Sequence, residues 1–268
     1  LCKFATNFPS HSRRLISTSS KLSTQVPSFQ GENDFTQSFT HKKISFSTSL
    51  SRYPLVFDTI KDLIDARVND SPDKLLFAFP HQGVNLKFKD VKERVDVMVQ
   101  NLLRLGFQKG DRVCFLLPNA HELAITYIAA TQIGLISVVL NPAYQLTEIE
   151  FMLKKTKAKG LFIYDSFKVL NHLEIVRKLC PEIDSCAPGQ LESKNLPYLK
   201  NVVVLNSPLN KEKKSYKGTI PYELVSEKPS SGTQMSLPVV EAEDPCLILF
   251  TVSFYLFIFF SKFKFKFK

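Results

Sequence analysis

The chain has 268 residues, enough for one large domain or two small ones with a substantial buried core. Hydrophobic residues make up 44% and charged residues 22%, which excludes a disordered or collagen-like chain. The five cysteines are an odd number without close pairing, so the pattern argues against a disulfide scaffold. The first residue is Leu, and we expect the translation start to lie upstream of it.

The net charge of +10 is concentrated at the two ends of the chain. Residues 1–57 carry +5 and residues 262–268 carry +4, whereas residues 58–261 carry only +1. A protein that binds a polyanion gathers its cations on one folded face. The distribution therefore argues against a nucleic-acid partner.

The N-terminal segment, residues 1–57, has the composition of a transit peptide. Residues 1–31 contain no Asp or Glu, and the stretch from Arg13 to Gln25 is basic and rich in hydroxyl groups. It lacks the unbroken apolar core of a secretory signal, so we expect import into the mitochondrial matrix. An irregular N-terminal tail or an incorrect translation start is the alternative.

Periodic patterns begin after Phe57. Apolar spacing predicts one helix that starts near Ile60 and ends before Ser71, and a second over residues 91–102 with Gly106 as its C-terminal cap. Between them, two short apolar runs on either side of Gly83 predict a β-hairpin. The predicted hairpin strands are Leu75–Phe79 and Val84–Phe88.

Strands and helices then alternate. The continuous apolar runs Arg112–Leu117, Ile136–Leu140, Gly160–Tyr164 and Val202–Leu205 predict strands covered on both faces. Helices are predicted over 123–133 and over 167–179. Another helix is predicted to begin at a capping box in which Thr147 is the N-cap and the Glu150 side chain bonds back to it. Residues 206–244, rich in Pro, Lys, Ser and Glu, are predicted to be loop. The order predicts an α/β fold with a mostly parallel sheet and helices on both faces.

Many positions together resemble one enzyme family. The run from Gly110 to Ile163 contains KGDRV before a strand, PN after it, a strand ending in NPAYQ, and a helix with E-x-E-F-x-L-K-K. Further on, the chain contains LCPEID, PGQLES and LPYLKNVV. Together these stretches resemble the N-terminal part of adenylate-forming acyl-CoA synthetases, and they are most similar to the mitochondrial medium-chain branch. The resemblance covers about residues 55–251 and implies an incomplete part of the large adenylation domain over 58–251.

The resemblance implies a two-step ligase reaction. A medium-chain fatty carboxylate attacks the α-phosphate of ATP, giving an acyl-adenylate and pyrophosphate, and the CoA thiol then displaces AMP. In such enzymes ATP, Mg²⁺ and CoA are held partly by a loop of Ser, Thr and Gly that ends in Lys-Pro-Lys-Gly and follows a strand similar to LFT.

The phosphate loop is not found where the resemblance places it. Asp244–Thr251 resembles the approach strand, and Thr251 matches the first loop residue, but residues 252–268 contain no glycine. The stretch Ser230–Thr233 follows Lys228-Pro229, not a strand, and is not expected to replace the loop. The family's C-terminal lid lies beyond the last residue. We therefore expect that the chain has no catalytic residues of its own, binds none of these cofactors, and is an inactive ligase fragment.

Residues 252–268 form an aberrant apolar and Lys-Phe tail. The seventeen uncharged residues Pro245–Ser261 would span about 25 Å as a helix, near the lower limit for a bilayer. Three interpretations of this run are open: a tail anchor, an extension that adheres to lipid, and translation into an intron. Because Val252-Ser253 can be encoded by GTAAGT, the consensus start of an intron, we favour the intron. The competing function is a non-enzymatic truncated product that associates with membranes through this run.

The remaining candidate residues favour structural roles. The five histidines, residues 11, 41, 81, 121 and 172, lack metal-ligand spacing, so no metal site is predicted. Cys114 and Cys246 are predicted to be small buried hydrophobes. Asn119 and Asn141, next to prolines at strand ends, are expected chiefly to shape turns.

Overall fold

The computed structural model describes residues 57–208, 214–228 and 234–250. Its helices are α1 Ile60–Asp70, α2 Phe88–Arg104, α3 His121–Gln132, α4 Leu146–Thr156, α5 His172–Leu179 and α6 Tyr222–Ser226. Its strands are β1 Leu75–Phe79, β2 Val84–Lys87, β3 Arg112–Leu116, β4 Ile136–Val139, β5 Gly160–Tyr164, β6 Ser166–Phe167, β7 Leu170–Asn171, β8 Asn201–Leu205, β9 Ile220–Pro221 and β10 Leu247–Ile248.

Six of these strands form one sheet in the order β10-β4-β3-β5-β8-β9. Every neighbouring pair in it is parallel. All five residues of β5 and all five of β8 are buried. Continuous apolar runs are typical of strands covered on both faces, and the predicted α/β fold with a parallel sheet is confirmed.

Helices cover both faces of the sheet. In β3, Val113 and Phe115 face a core that contains α2, α3 and α6, and the ring of Phe115 lies 5.4 Å from that of Phe162 in β5. Cys114 and Leu116, the alternate residues, face a second core built on α4 and α5. The strand period of two thus divides the apolar residues between two cores.

The N-terminal hairpin and the helix after it agree with the predictions in type. β1 and β2 pair antiparallel around Gly83, whose φ is +65°. β2 ends at Lys87, one residue earlier than predicted, because Phe88 begins α2. Gly106, with φ +78°, follows the C-terminus of α2 as expected for a left-handed cap.

The predicted start of α4 is wrong. The helix begins at Leu146, and Gln145 occupies the N-cap position. The Gln145 side chain makes no capping hydrogen bond. Leu146 packs against the second core, which favours an earlier start than Thr147. Glu150 accepts a hydrogen bond from Lys154 Nζ at 2.7 Å instead of closing a capping box.

Two other predicted boundaries are also corrected. The segment 167–179 is helical only from His172, because Asn171 Oδ1 accepts the Glu174 N–H at 3.0 Å and sets the helix start. The preceding residues form the small β6–β7 hairpin. The segment 206–244, predicted to be loop, contains β9 and α6, where Ile220 and Val225 are buried in the first core.

Candidate functional site

The carboxyl ends of the parallel strands meet at one edge of the sheet, where α/β proteins bind ligands. β10 lies beside β4, with Leu247 opposite Ser137 and Ile248 opposite Val138. The Ser137 N–H also donates to the Cys246 carbonyl at 2.9 Å. The predicted approach strand is thus present over two residues, and it points towards this carboxyl edge. Thr251, the one predicted site residue, lies outside the described residues.

Side chains from α2 and the following loop hold the extended segment that leads into β10. Gln100 and Met235 exchange two hydrogen bonds, of 2.7 and 3.1 Å. Lys109 Nζ donates to a backbone carbonyl of this segment at 3.0 Å and pairs with Asp244 at 2.6 Å. The hydrogen bond from the Glu241 backbone N–H lowers the pKa of Asp244 below its usual value, and the bond from Lys109 lowers it further. These contacts fix the direction in which β10 enters the sheet.

The surface around β10 is apolar. Leu249 is 64% exposed and Leu247 38%, while Ile248 and Phe250 pack partly against the second core. Among the described residues, the side of β10 that faces away from β4 pairs with no strand.

A polar cluster ties the N-terminal hairpin to the start of α3, next to the end of β3. Gln82 Nε2 donates to Glu122 Oε2 at 2.9 Å, and Gln82 Oε1 accepts the His121 backbone N–H at 2.9 Å. Burial lowers the pKa of His121, and the nearby Glu122 carboxylate opposes that effect. The ring is therefore held in a partly buried network that orients the first turn of α3. The sequence reasoning did not find this cluster, because Gln82 is 39 residues distant from His121.

His172 joins the loops that follow β4 and β5. Its ring is fully buried at the start of α5, and Nε2 donates to the Pro142 carbonyl at 2.8 Å. The ring stacks on Phe167 with centroids 6.3 Å apart. Burial lowers the pKa of His172, and the carbonyls of Pro142 and Tyr164 oppose that effect. This histidine is a structural connection between two loops of the carboxyl edge.

Asp165 directly follows β5 and is 3% exposed. Its two carboxylate oxygens accept the Ser207 backbone N–H at 2.9 Å and the Tyr216 hydroxyl at 2.8 Å. Burial, and then the bond to Asp165, raises the pKa of Tyr216 to about 12. The sequence signal for Asp165 is an acidic residue immediately after an apolar strand.

Of the residues predicted to have structural roles, Asn141 and Cys114 agree with the structure, whereas the prediction that Cys246 is buried inside a strand is wrong. Asn141 Oδ1 accepts the Ala143 N–H at 2.9 Å, which is a turn contact. Cys114 is fully buried, and burial raises its pKa to about 12, whereas Cys246 is only partly buried and precedes β10. Within the described ranges no group of three His, Cys, Asp or Glu side chains could hold a metal ion. The residues of Ser230–Thr233 lie outside these ranges.

The described carboxyl edge offers few positive charges to a phosphate. The two residues that directly follow each strand of the sheet include no Lys or Arg, and Asp165 is acidic. In the part of the chain that the structure describes, no helix is both long and apolar enough to cross a bilayer.

A cleft of about 550 Å³ lies at the opposite end of the sheet. Its lining includes Cys186, Tyr216 and Gly218, beside β9. β9 and β10 are the two outer strands of the six, so five strand spacings, about 24 Å, separate them. The cleft is therefore distinct from the surface around β10.

Comparisons with known proteins point to one family. The sequence profile of the family described as "AMP-binding enzyme" matches residues 64–253. Over 155 residues the chain is 36% identical to the mouse protein named medium-chain acyl-CoA ligase ACSF2, mitochondrial, a match that covers 58% of this chain and 25% of the mouse protein. The chain spans about a quarter of the length of the curated relatives it matches.

Solved structures support the same fold. A Rhodopseudomonas palustris protein described as a long-chain-fatty-acid CoA ligase superposes with a TM-score of 0.57 at 22% identity, over 74% of this chain and 42% of that one. A Mycobacterium tuberculosis fatty acyl CoA synthetase superposes with a TM-score of 0.54 at 16% identity, over 73% of this chain and 33% of that one.

Proposed function

The chain belongs to the AMP-binding enzyme family, and from that premise we propose that it is the N-terminal portion of an ATP-dependent medium-chain fatty acid–CoA ligase. The name of the mouse relative supports the medium-chain substrate. The proposed reaction joins a fatty carboxylate to the α-phosphate of ATP with release of pyrophosphate. The CoA thiol then attacks the acyl carbonyl and AMP leaves.

The position of β10 carries this proposal. The strand is parallel to β4, so its carboxyl end points to the edge that the loops after β3 and β5 also reach. Phe250, the last described residue, therefore lies on the same edge of the sheet as those loops. We propose that Thr251 is the first residue of the phosphate-binding loop, where its hydroxyl would donate to a phosphate oxygen.

The role of the described residues in the reaction is to place that loop. Lys109 and Gln100 hold the segment before β10, and His172 connects the loops after β4 and β5. Mg²⁺, when bound with ATP, would supply positive charge to the phosphates. Since the two residues after each strand of the sheet include no Lys or Arg, we propose that further positive charge comes from groups outside the described residues.

We further propose that the 268-residue chain does not form acyl-adenylate by itself and binds neither ATP nor CoA. The proposal is supported by the sequence after Thr251, which has no glycine to let a backbone approach the phosphates. The test measures pyrophosphate release with octanoate, palmitate or acetate. We expect none from this chain, and octanoate-dependent release from a full-length version in which the family loop and the C-terminal lid follow Thr251. Octanoate-dependent release by this chain would contradict its inactivity, and a preference of the longer chain for acetate would contradict the medium-chain assignment.

The tail over 252–268 is proposed to be translated intron. Reverse transcription of mature message, followed by sequencing across the Thr251 codon, tests this. We expect a spliced message in which codons for Ser-Gly-Thr-Thr-Gly appear in frame. An abundant continuous message that encodes VSFYLF after Thr251 would overturn the proposal.

Mitochondrial matrix localisation is proposed from the composition of residues 1–57, and the name of the mouse relative supports it. A fusion of residues 1–57 to a fluorescent protein tests the targeting. We expect matrix import, and its loss when Arg13 and Arg14 are both changed to Glu. A cytosolic distribution of the unchanged fusion would contradict the proposal.

A further inference from the structure

Two exposed aromatic rings and three lysines form a distinct surface, which we call the lysine-aromatic surface. Its members are Phe151, Lys155, Lys157, Tyr198 and Lys200. Phe151 and Lys155 are four residues apart on α4, so they share one face of that helix. The exposed fractions of Phe151 and Tyr198 are 54% and 51%.

The C-terminal end of α4 brings Lys157 and Tyr198 together. Lys157 caps the helix with φ +51°, a left-handed conformation that is uncommon for residues other than glycine. Its ammonium group lies 5.3 Å from the centroid of the Tyr198 ring, within the range of a cation–π contact. The Lys200 backbone N–H donates to the Lys159 carbonyl at 2.9 Å, which places Lys200 beside the amino end of β5.

The lysines of this surface differ from the neighbouring lysines in their ion pairing. The neighbouring Lys154 and Lys159 have acidic partners, Glu150 at 2.7 Å and Asp111 at 2.6 Å. In the described part of the chain, the three lysines of the lysine-aromatic surface have no carboxylate within 4.0 Å. The surface thus presents three cations in addition to its two rings.

We propose that the lysine-aromatic surface binds the anionic headgroups of a lipid bilayer, so that the folded domain associates peripherally with a membrane. Lysines near such a bilayer are attracted by its negative surface potential. Half-exposed aromatic rings among the cations favour a lipid surface over a nucleic acid, because rings partition into the headgroup region.

The surface lies on the amino edge of the sheet, whereas the proposed phosphate loop follows β10 at the carboxyl edge. A five-residue strand separates these edges by about 16 Å. Membrane contact through α4 therefore leaves the carboxyl edge accessible. This surface is independent of the proposed ligase activity and of the apolar C-terminal run.

The test is co-sedimentation of the full chain with vesicles of one part cardiolipin to four parts phosphatidylcholine, compared with phosphatidylcholine alone. The test variant combines Lys155→Glu, Lys157→Glu and Lys200→Glu. A matched control combines Lys74→Glu, Lys214→Glu and Lys217→Glu, which changes the net charge equally at exposed positions elsewhere. Both variants keep the N-terminal segment and the C-terminal tail, so those segments contribute equally.

We expect the unchanged chain to bind the cardiolipin vesicles and to lose binding as salt rises to about 1 M. Each lysine contributes about five-fold to the partition coefficient, so the test variant should bind about 100-fold more weakly and the control much less so. Tyr198→Ala should weaken binding, while Tyr198→Phe, which keeps the ring, should not.

Three results would overturn the proposal. One is the absence of cardiolipin-dependent binding by the unchanged chain. Another is an equal loss in the test and control variants, which would assign binding to net charge or to the terminal segments. The third is binding of the chain to a short DNA duplex through the same three lysines, without binding to vesicles. That result would assign the surface to nucleic acid.

Discussion

Replacing Gly160 by Ala tests how tightly the centre of the sheet is packed. Gly160 begins β5 between β3 and β8, and a Cβ there would lie 2.5 and 2.9 Å from two atoms of the Phe107 ring. Ordinary contact begins near 3.4 Å, so close to 1 Å must be gained by moving the ring or the strand. Phe107 is 2% exposed and belongs to the first core, so other buried side chains surround its ring.

The expected cost of Gly160→Ala follows from this geometry. Overpacking a well-packed core destabilises by about 1–3 kcal/mol, and a buried ring that cannot move favours the upper half of that range. For a domain of this size, each kcal/mol lowers Tm by about 2–4 °C, so we expect a fall of about 4–12 °C. Urea unfolding followed by circular dichroism and a thermal scan measure the two quantities.

A second substitution provides the matched control for Gly160→Ala. Phe107→Leu shortens the side chain, so the double variant should be more stable than the sum of the two single effects predicts. Gly110→Ala meets no atom within 4 Å, and its cost of about 1 kcal/mol comes from φ +87° alone. Phe107→Leu should not rescue Gly110→Ala. An unchanged Tm for Gly160→Ala, or equal rescue of both variants, would refute the packing argument.

Three further predictions concern the contacts around the carboxyl edge. Burial lowers the pKa of His172 in the folded chain, so near the ordinary histidine pKa of about 6.5 the unfolded chain binds more protons than the folded one. The urea midpoint of unfolding should therefore fall as pH drops from 7.5 to 5. The fall should be less steep in the His172→Gln variant. Lys109→Met removes a part-exposed ion pair with Asp244, so the urea free energy should change by less than about 1 kcal/mol while amide exchange in β10 accelerates; unchanged exchange would contradict the anchoring role. Tyr216→Phe removes a hydroxyl donor to buried Asp165 and should lower the unfolding free energy by about 1.5–3 kcal/mol in urea titration; a smaller loss than in an exposed Tyr-to-Phe control would count against the bond.

Much of the fold could be predicted from the sequence because its longest signals are local. The β5 run is apolar at all five positions, and a strand of that kind is buried on both faces wherever it lies. The stripe of α2 repeats at helical spacing, and the structure buries Val91, Val95 and Met98 along it. These patterns identify the α/β class, whereas the strand that leads to Thr251 is indicated by the family resemblance.

The candidate site was predictable only at one point of the chain. The strand before Thr251 was recognised from its residues, and the structure places β10 at the edge of the sheet beside β4. The contact of His172 with Pro142 spans 30 residues, and that of Tyr216 with Asp165 spans 51. Neither separation leaves a local pattern, so neither contact could be found before the chain was folded.

What the sequence alone determined was the order of apolar runs, and with it the alternation of strand and helix that a parallel sheet requires. The tertiary structure alone decided the short strand β9: it has two residues, too few for any periodicity, and it exists because β8 supplies its hydrogen bonds. It also decided the start of α4, where burial of Leu146 outweighed the local preference for a Thr147 cap. Local sequence patterns predict such helix boundaries from capping bonds. The free energy gained by burying an apolar side chain is larger than that of one capping hydrogen bond, so burial decides the boundary.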